Sequence, residues 1–572
     1  MNAQEEVIIR GSPISKGIGI GCPVYFNRNE EATSPYFSVH KEVDEEINRY
    51  RKALDLSRKD LEDLQKNSLH STEVNAILGT HLEIMKDPMI TVGVEKKIRD
   101  TQQNTEWVFH HLIEEYKHRF SSLKSNFFQE RIRDIVDISQ RILGHLRAPS
   151  RLKISEVPHN SVILAHDLVP SETIEANTSH VSGFVTASGG LTSHTAIIAR
   201  AKGIPYVANI DLTLVKDISI DCIIVDGGTG VVILNPKKAT LKKYQELKKS
   251  YQAGLNRIKN NTHLKGETID GYEVRIYANL ENPKDIESIL KQGASGIGLF
   301  RSEYLCFAKK SFPTEEEQFK IYKNMVKSMR GKPLVVRIYD LGGDKTIPEL
   351  KETAEMNPAL GLRGIRLLMR HSKILETQLR AILKASRFGE IHVLIPLVTD
   401  LSEIRFVRQK IVEMQLALQK EGEKFAKQIP LGCMIEVPSA ALMSDAIGIE
   451  VDFLSIGTND LVQYILAADR TNQYTSDLYH AMHPSVLRLI RLIVTHANTA
   501  RKPLILCGEI ASDPLMIPIL LGFGISEFSV SSRLIPLVKD TIRQWRLLDA
   551  CRLAEGALST SSAQELKEYL QE

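Results

Sequence analysis

Residues Gly189 to Arg200 read Gly-Gly-Leu-Thr-Ser-His-Thr-Ala-Ile-Ile-Ala-Arg, which sets one histidine at the mouth of a helix directly after a glycine turn. Gly189 and Gly190 permit the turn, Thr192 or Ser193 can cap, and Ala196 to Ala199 supply a first buried helical turn. His194 then meets backbone N–H groups and the positive end of the helix dipole, a setting that favours an added anion. An imidazole so placed suits carriage of a phosphoryl group. The plainer alternative is a surface histidine beside an N-cap.

A second set of chemistry-bearing residues recurs after short apolar runs in the carboxyl half. Arg301 lies in Phe300-Arg301-Ser302-Glu303, Arg337 precedes Asp340-Leu341-Gly342-Gly343-Asp344-Lys345, and Arg363 lies in Leu362-Arg363-Gly364. Converging guanidinium groups match phosphate and carboxylate oxygens bidentately, so a polyanionic ligand suits them. Alternatively, Arg301 and Arg337 pair with Glu303 and Asp340 as a structural ring. Glu436 and Asp460 follow neighbouring runs and, with substrate oxygens and water, would make a Mg²⁺ site; the other reading is that they only neutralise the arginines. Arg470 offers a further phosphate donor. Cys507, in Leu506-Cys507-Gly508-Glu509, is either an inert core thiol or a general acid toward an enolate carbon.

The elements that must hold these residues follow from apolar patterning. Eight apolar runs alternate with helical stretches beyond residue 270: Val274–Ala278, Gly296–Phe300, Leu334–Tyr339, Val393–Val398, Gly432–Val437, Phe453–Ile456, Leu504–Leu506 and Glu527–Val530. This predicts a (β/α)8 TIM-type barrel, a fold that carries its chemistry at the carboxyl ends of its strands. Ahead of it, Ser161–Ala165, Gly183–Ala187, Cys222–Val225 and Val231–Leu234 predict the strands of a compact α/β domain, with Val7–Phe26 contributing strand and turn.

Between these parts, residues 40–146 are helical in pattern, with Val43, Ile47, Tyr50, Leu54, Leu61 and Leu64 on one stripe. Further helices are predicted over Val74–Met85, Trp107–Phe120 and Ile132–Leu146, broken at Asp87-Pro88 and near Ser121-Ser122. The fold class is thus multidomain α/β: an α/β domain from residues 1–39 plus 147–236, a helical insert at 40–146, a helical linker at 237–262 and the barrel at 263–572. In the linker, Leu241, Tyr244, Leu247, Tyr251, Leu255 and Ile258 form the apolar stripe.

At 572 residues, with 43% hydrophobic content and 73 basic against 70 acidic residues, the chain has the length and balance of several globular domains. No dense Lys/Arg block suggests nucleic acid, and no apolar run of about 18 residues suggests membrane insertion. Six scattered cysteines without zinc spacing, and an amino terminus without a signal pattern, predict free thiols and a cytoplasmic protein.

Taken together, GGLTSHTAIIAR, GIGLFRSEYL, DLGGDK, NPALGLRGIR, IEVP, DFLSIGTNDLVQY with AADR, and LCGE resemble, in family order, enzyme I of the sugar phosphotransferase system. The wider phosphoenolpyruvate-utilising group includes pyruvate phosphate dikinase. The resemblance implies that His194 is phosphorylated by phosphoenolpyruvate, releasing pyruvate, and passes the group to a histidine of the phosphocarrier protein HPr. It implies that Arg301, Arg337, Asn459 and Arg470 hold phosphoenolpyruvate, with Arg363 and Asp460 as further contacts, that Glu436 and Asp460 bind Mg²⁺, and that Cys507 protonates the enolate. It further implies that Thr173 bonds to the phosphohistidine region, that HPr docks on the helical insert near His81, and that the barrel dimerises.

Because donor and acceptor sites lie on different domains, a swivel is expected about Arg147–Ser155 and residues 237–262. The chain departs from enzyme I at Ala187, where an acid is usual, and at Leu191, where a base is usual and where dikinases are apolar. A dikinase would also need a nucleotide-binding domain, which the helical insert replaces. A regulatory scaffold is the non-enzymatic rival, and retention of the arginines, carboxylates, Cys507 and His194 weighs against it.

Overall fold

The computed structural model describes residues 6–26, 40–67, 72–121, 126–146, 154–190, 193–213, 219–309, 311–343, 345, 347, 349–350, 355, 357–469, 475 and 478–571. The chain divides into two compact units, Met1–Gly254 and Leu255–Glu572. Most of the expected hinge at Arg147–Ser155 lies outside the described residues.

In the first unit, β1 (Val7–Arg10), β2 (Ser12–Ser15), β3 (Ile18–Tyr25), β4 (Ser161–Ala165), β5 (Val181–Thr186), β6 (Tyr206–Ala208), β7 (Ile223–Asp226) and β8 (Val231–Leu234) form one sheet. Its order is β1-β8-β7-β3-β4-β5-β6-β2. The run β3-β4-β5-β6 is parallel, and the flanking pairs are antiparallel. The amino-terminal segment thus supplies three strands, and Tyr206–Ala208 adds one too short for its pattern to announce.

The described residues of the insert form the α-helices α1 (His40–Asn67), α2 (Thr72–Ile84), α3 (Val94–Thr101), α4 (Thr105–Ser121) and α5 (Asn126–Leu146), with a π-helical turn at Met89–Gly93. The predicted α1 stripe is buried at Val43, Ile47, Tyr50, Leu54 and Leu61 and half-buried at Leu64. α3 lies within the stretch of helical pattern without a stripe of its own, since Val94 and Ile98 are buried between charged residues. Two short helices follow in the sheet domain, α6 (Pro170–Glu175) and α7 (His194–Lys202). One face of α7 buries Ala196 and Ala199 in the sheet core, and Ile198 joins the core of the insert.

The linker stripe lies on α8 (Lys238–Asn260): Leu241 and Tyr244 pack on a small sheet cluster, Leu247, Tyr251 and Leu255 stay exposed, and Ile258 is half-buried.

In the second unit, β9 (Arg275–Leu280), β10 (Ile297–Arg301), β11 (Leu334–Arg337), β12 (Ile391–Ile395), β13 (Leu431–Ile435), β14 (Phe453–Gly457), β15 (Leu504–Cys507) and β16 (Glu527–Ser531) close into a barrel. Every neighbouring pair is parallel, β16 returning to β9. All eight predicted strands are present. A cluster of Tyr277, Leu299, Val335, Leu394, Met434, Phe453, Ile505 and Cys507 lies apart from the large core that the helices form with the strands. Among the described residues, no helix is long and apolar enough to cross a membrane.

Candidate active site

The loop before α7 is built from β4 and β5. Ala187 N–H donates to the Ala165 carbonyl at 3.1 Å and Ser188 N–H to the His166 carbonyl at 3.0 Å, so the chain leaves β5 alongside the end of β4. Gly189 adopts φ +155°, and a Cβ there would stand 2.7 Å from the Tyr206 hydroxyl oxygen. Gly190 faces nothing within 4 Å among the described residues, so of the pair only the first glycine meets a demand of space there. Of the two cap candidates, Ser193 is the cap: its hydroxyl accepts the Ala196 N–H at 3.2 Å. His194 is therefore the first residue of α7. Thr195 donates to the Leu168 carbonyl at 2.7 Å, tying the start of α7 to the segment that leads into α6.

The Thr173 hydroxyl donates to the Val169 carbonyl at 3.1 Å, one turn back along its own chain. His81 is 1% exposed and faces Asp134 at 3.2 Å, which places it inside the helical insert and not on a docking face.

The barrel residues converge. Arg301 closes β10, Arg337 closes β11, Glu436 follows β13, Asn459 and Asp460 begin the helix after β14, and Cys507 closes β15. Asp340, fully buried, is the hub. It accepts from Lys345 Nζ at 2.7 Å and from Arg363 Nε and Nη2 at 2.9 and 3.0 Å, with Arg337 Nη2 at 3.1 Å. Burial pushes its carboxyl up, but Arg337, Lys345 and Arg363 outweigh that and hold it well below the usual carboxylate range. Arg363 also reaches both oxygens of Asp460, at 3.2 and 3.0 Å. Arg337 pairs with buried Glu303, to which Lys345 also extends at 3.4 Å.

The ring of ion pairs foreseen as an alternative is thus real for Arg337, whereas Arg301 bonds to Glu281 at 2.7 Å instead. The ring is nevertheless incomplete: Arg337 Nε and Glu303 Oε2 are buried without a hydrogen-bond partner among the described residues. Leaving such atoms unpaired is costly, which suits a mouth arranged for a ligand more than one arranged for stability. Asn459 Oδ1 accepts the Glu509 N–H at 3.0 Å. Arg470 lies outside the described residues.

Whether the carboxylates suit a divalent cation can be tested on their surroundings. Burial, then Asp460, then Asp340, push the Glu436 carboxyl up to about 8, the mark of negative charge crowded without enough compensation. Its Oε1 accepts the Leu397 N–H at 2.7 Å, while a Cβ at Gly457 would stand 2.7 Å from Oε2, so the glycine keeps that side of the carboxylate open. Among the described residues no group of three or more His, Cys, Asp or Glu side chains could hold a metal ion. Mg²⁺ commonly takes one or two carboxylates and completes its shell with water and phosphate oxygens, so the pair fits it.

The Cys507 thiol is 1% exposed and stands 3.3 Å from Ser455 Oγ. Burial pushes it up to about 11 despite Ser455, Ser529, Arg301 and Arg337, so it remains protonated at neutral pH. Gly508 beside it adopts φ +110°, and a Cβ there would lie 2.0 Å from Thr458 Oγ1. Glu303, named as a ring partner from the sequence, and Lys345, which has no role assigned from the sequence, both take part in the charge network. Only their place beside the flagged arginines pointed to them.

Known proteins resemble the chain along its whole length. Residues 256–547 match the PEP-utilising enzyme, PEP-binding domain; residues 10–131 match the PEP-utilising enzyme, N-terminal; and residues 157–230 match the PEP-utilising enzyme, mobile domain. The phosphoenolpyruvate-protein phosphotransferase of Bacillus sp. (strain S) is 36% identical over 571 residues, covering 100% of this chain and 98% of its own. That of Priestia megaterium is 37% identical over 565 residues, 98% of each chain. That of Bacillus subtilis (strain 168) is 35% identical over 563 residues, 97% of this chain and 99% of its own.

Proposed function

The chain belongs to the phosphoenolpyruvate-utilising enzymes, as a phosphoenolpyruvate–protein phosphotransferase, and from that premise we propose the residues that carry the transfer and the partner that receives it. The observation that carries this reading is the barrel mouth, where buried arginines and paired carboxylates meet one protonated thiol.

Arg301, Arg337, Asn459 and Arg470 hold phosphoenolpyruvate, with Arg363 and Asp460 as further contacts. His194 attacks the phosphorus in line as the bridging P–O bond breaks. The electron pair passes to the enolate, and the Cys507 thiol delivers a proton to the enolate carbon to give pyruvate. Positive charge at the arginines balances the charge spread over the transferring group, the dominant contribution in a loose phosphoryl transfer. Glu436 and Asp460 would hold Mg²⁺, which when bound neutralises phosphate charge.

The phosphoryl group then passes from His194 to a histidine of an HPr-type phosphocarrier docked on the helical insert, the first general step of a sugar phosphotransferase system. Because the barrel binds the donor and the helical insert the acceptor, His194 must visit both, which calls for a swivel about Arg147–Ser155 and residues 237–262. We also assign homodimerisation to the barrel, which concentration-dependent mass measurement tests.

Purified protein incubated with phosphoenolpyruvate and Mg²⁺ should gain one acid-labile phosphoryl group with matching pyruvate release, and His194→Ala should gain none. A folded wild type that binds phosphoenolpyruvate yet gains nothing overturns the reading in favour of a scaffold role.

A further inference from the structure

The hydrogen bonds behind two of the barrel arginines converge on one amide. Gln378 is fully buried on the helix Ser372–Ser386. Its Nε2 donates to Ser302 Oγ at 2.9 Å and to the Tyr322 hydroxyl at 3.1 Å, while its Oε1 accepts the Tyr339 N–H at 3.1 Å. A backbone N–H only donates, so the amide has one satisfactory orientation; reversed, it would set NH2 against N–H.

That orientation orders the protons beyond it. Ser302 accepts from Gln378 and so directs its own proton to the Arg337 carbonyl, at 2.6 Å. Tyr322 directs its proton to Gln318 Oε1, at 3.5 Å.

The partners on the first arm are the strand ends that carry the arginines. Ser302 directly follows Arg301 at the end of β10, Arg337 closes β11, and Tyr339 lies two residues further. The strands pair Phe300 with Val336 and Arg301 with Arg337 after a register shift between Ile297 and Phe300, so only those last two pairs of the ladder hold the two ends together. A buried, fully satisfied polar network is well suited to that task, because any displacement leaves a polar group unpaired.

We propose that Gln378 is a positioning residue for phosphoenolpyruvate, holding the ends of β10 and β11 at the offset that presents Arg301 and Arg337 as a pair. This rests on reading the barrel mouth as the phosphoenolpyruvate site. Gln378 touches no substrate and acts through Ser302 and the Arg337 backbone.

The test uses the full chain and three variants: Gln378→Met, which keeps length but loses all three bonds; Ser302→Ala, which cuts only the arm to Arg337; and Tyr322→Phe, which cuts only the other arm. KM and kcat are measured for phosphoenolpyruvate in pyruvate release, with Tm alongside. Gln378→Met and Ser302→Ala should raise KM about tenfold, with kcat changed less, while Tyr322→Phe keeps the wild-type KM even where its Tm falls. Unchanged KM in the first two, with only Tm or the active fraction reduced, overturns the proposal. So does an equal rise in Tyr322→Phe, which would make the effect one of general stability. If Gln378→Met does not fold, the contrast between Ser302→Ala and Tyr322→Phe decides. A wild type that releases no pyruvate overturns the functional reading and this proposal with it, whereas normal wild-type turnover with unchanged KM in the variants sinks the proposal alone.

Discussion

Arg363 and Asp340 are joined by two parallel hydrogen bonds, Nε to Oδ1 at 2.9 Å and Nη2 to Oδ2 at 3.0 Å, and the same guanidinium grips Asp460 from its other edge. One arginine therefore bridges the hub that neutralises the cations and a carboxylate proposed for the metal. A substrate phosphate arriving at Arg363 must compete with Asp460, which would leave that carboxylate free to turn toward a cation.

Removing the hub should be severe. Asp340→Asn leaves Arg337, Lys345 and Arg363 short of a buried counter-charge, a loss of about 3–5 kcal/mol. The pH dependence has a definite sign. The folded pKa of Asp340 lies well below its ordinary value, so its contribution is complete above about 4 and is lost as pH falls toward the folded value. Denaturant titrations in a Trp107→Phe background, where Trp545 alone reports on the barrel, should show the wild-type advantage at pH 7 and its decline only in strong acid.

Cys507 should resist alkylation. With its thiol pushed up to about 11, roughly one molecule in a thousand carries the thiolate at pH 8, and the site is closed to solvent. Peptide mapping after iodoacetamide should find exposed Cys22 modified first, and Cys507, like the buried Cys306 and Cys433, modified only on unfolding. Cys507→Ala should lower turnover with phosphoenolpyruvate by about 10²–10⁴-fold.

Adjacent glycines before His194 should respond differently to the same change. Gly189→Ala forces a side chain onto the Tyr206 hydroxyl at a backbone angle that alanine disfavours, and should cut the rate of phosphoryl transfer together with the Tm. Gly190→Ala, with nothing within 4 Å among the described residues, should change Tm little. Thermal melts of both variants check this.

Glu436→Gln replaces a carboxyl that burial, Asp460 and Asp340 push up to about 8 and that must take up a proton on folding at neutral pH. Without Mg²⁺ its Tm at pH 7 should equal or exceed that of the wild type, because that cost is removed. Added Mg²⁺ with phosphoenolpyruvate should stabilise the wild type and leave the variant unmoved.

The barrel strands were legible because parallel strands buried on both faces read as unbroken apolar runs, as Leu334–Arg337 and Leu431–Ile435 do. Arg337, Glu436 and Cys507 were legible because they end or directly follow such runs. Gln378 was not: a single amide on the buried face of an amphipathic helix has no pattern of its own. His81 misled in the opposite direction, since a polar residue on a helix reads as solvated until Asp134 is found against it. Lys345 stood within a quoted motif, but its bonds to Asp340 and Glu303 arise from a chain reversal that no local period encodes.

The short helix that begins at His194 has further meaning for how the amino-terminal half melts. Ala196 and Ala199 belong to one apolar core and Ile198 to another, and Ile174 of α6 joins the latter. The helical insert, although an interruption of the chain, is for this reason not an autonomous folding unit. Excising it would strip two isoleucines of their cover, and loosening it would loosen the very turn that presents the histidine. Amide protection across α7 should therefore rise and fall with that of α1 and α5, as one cooperative block.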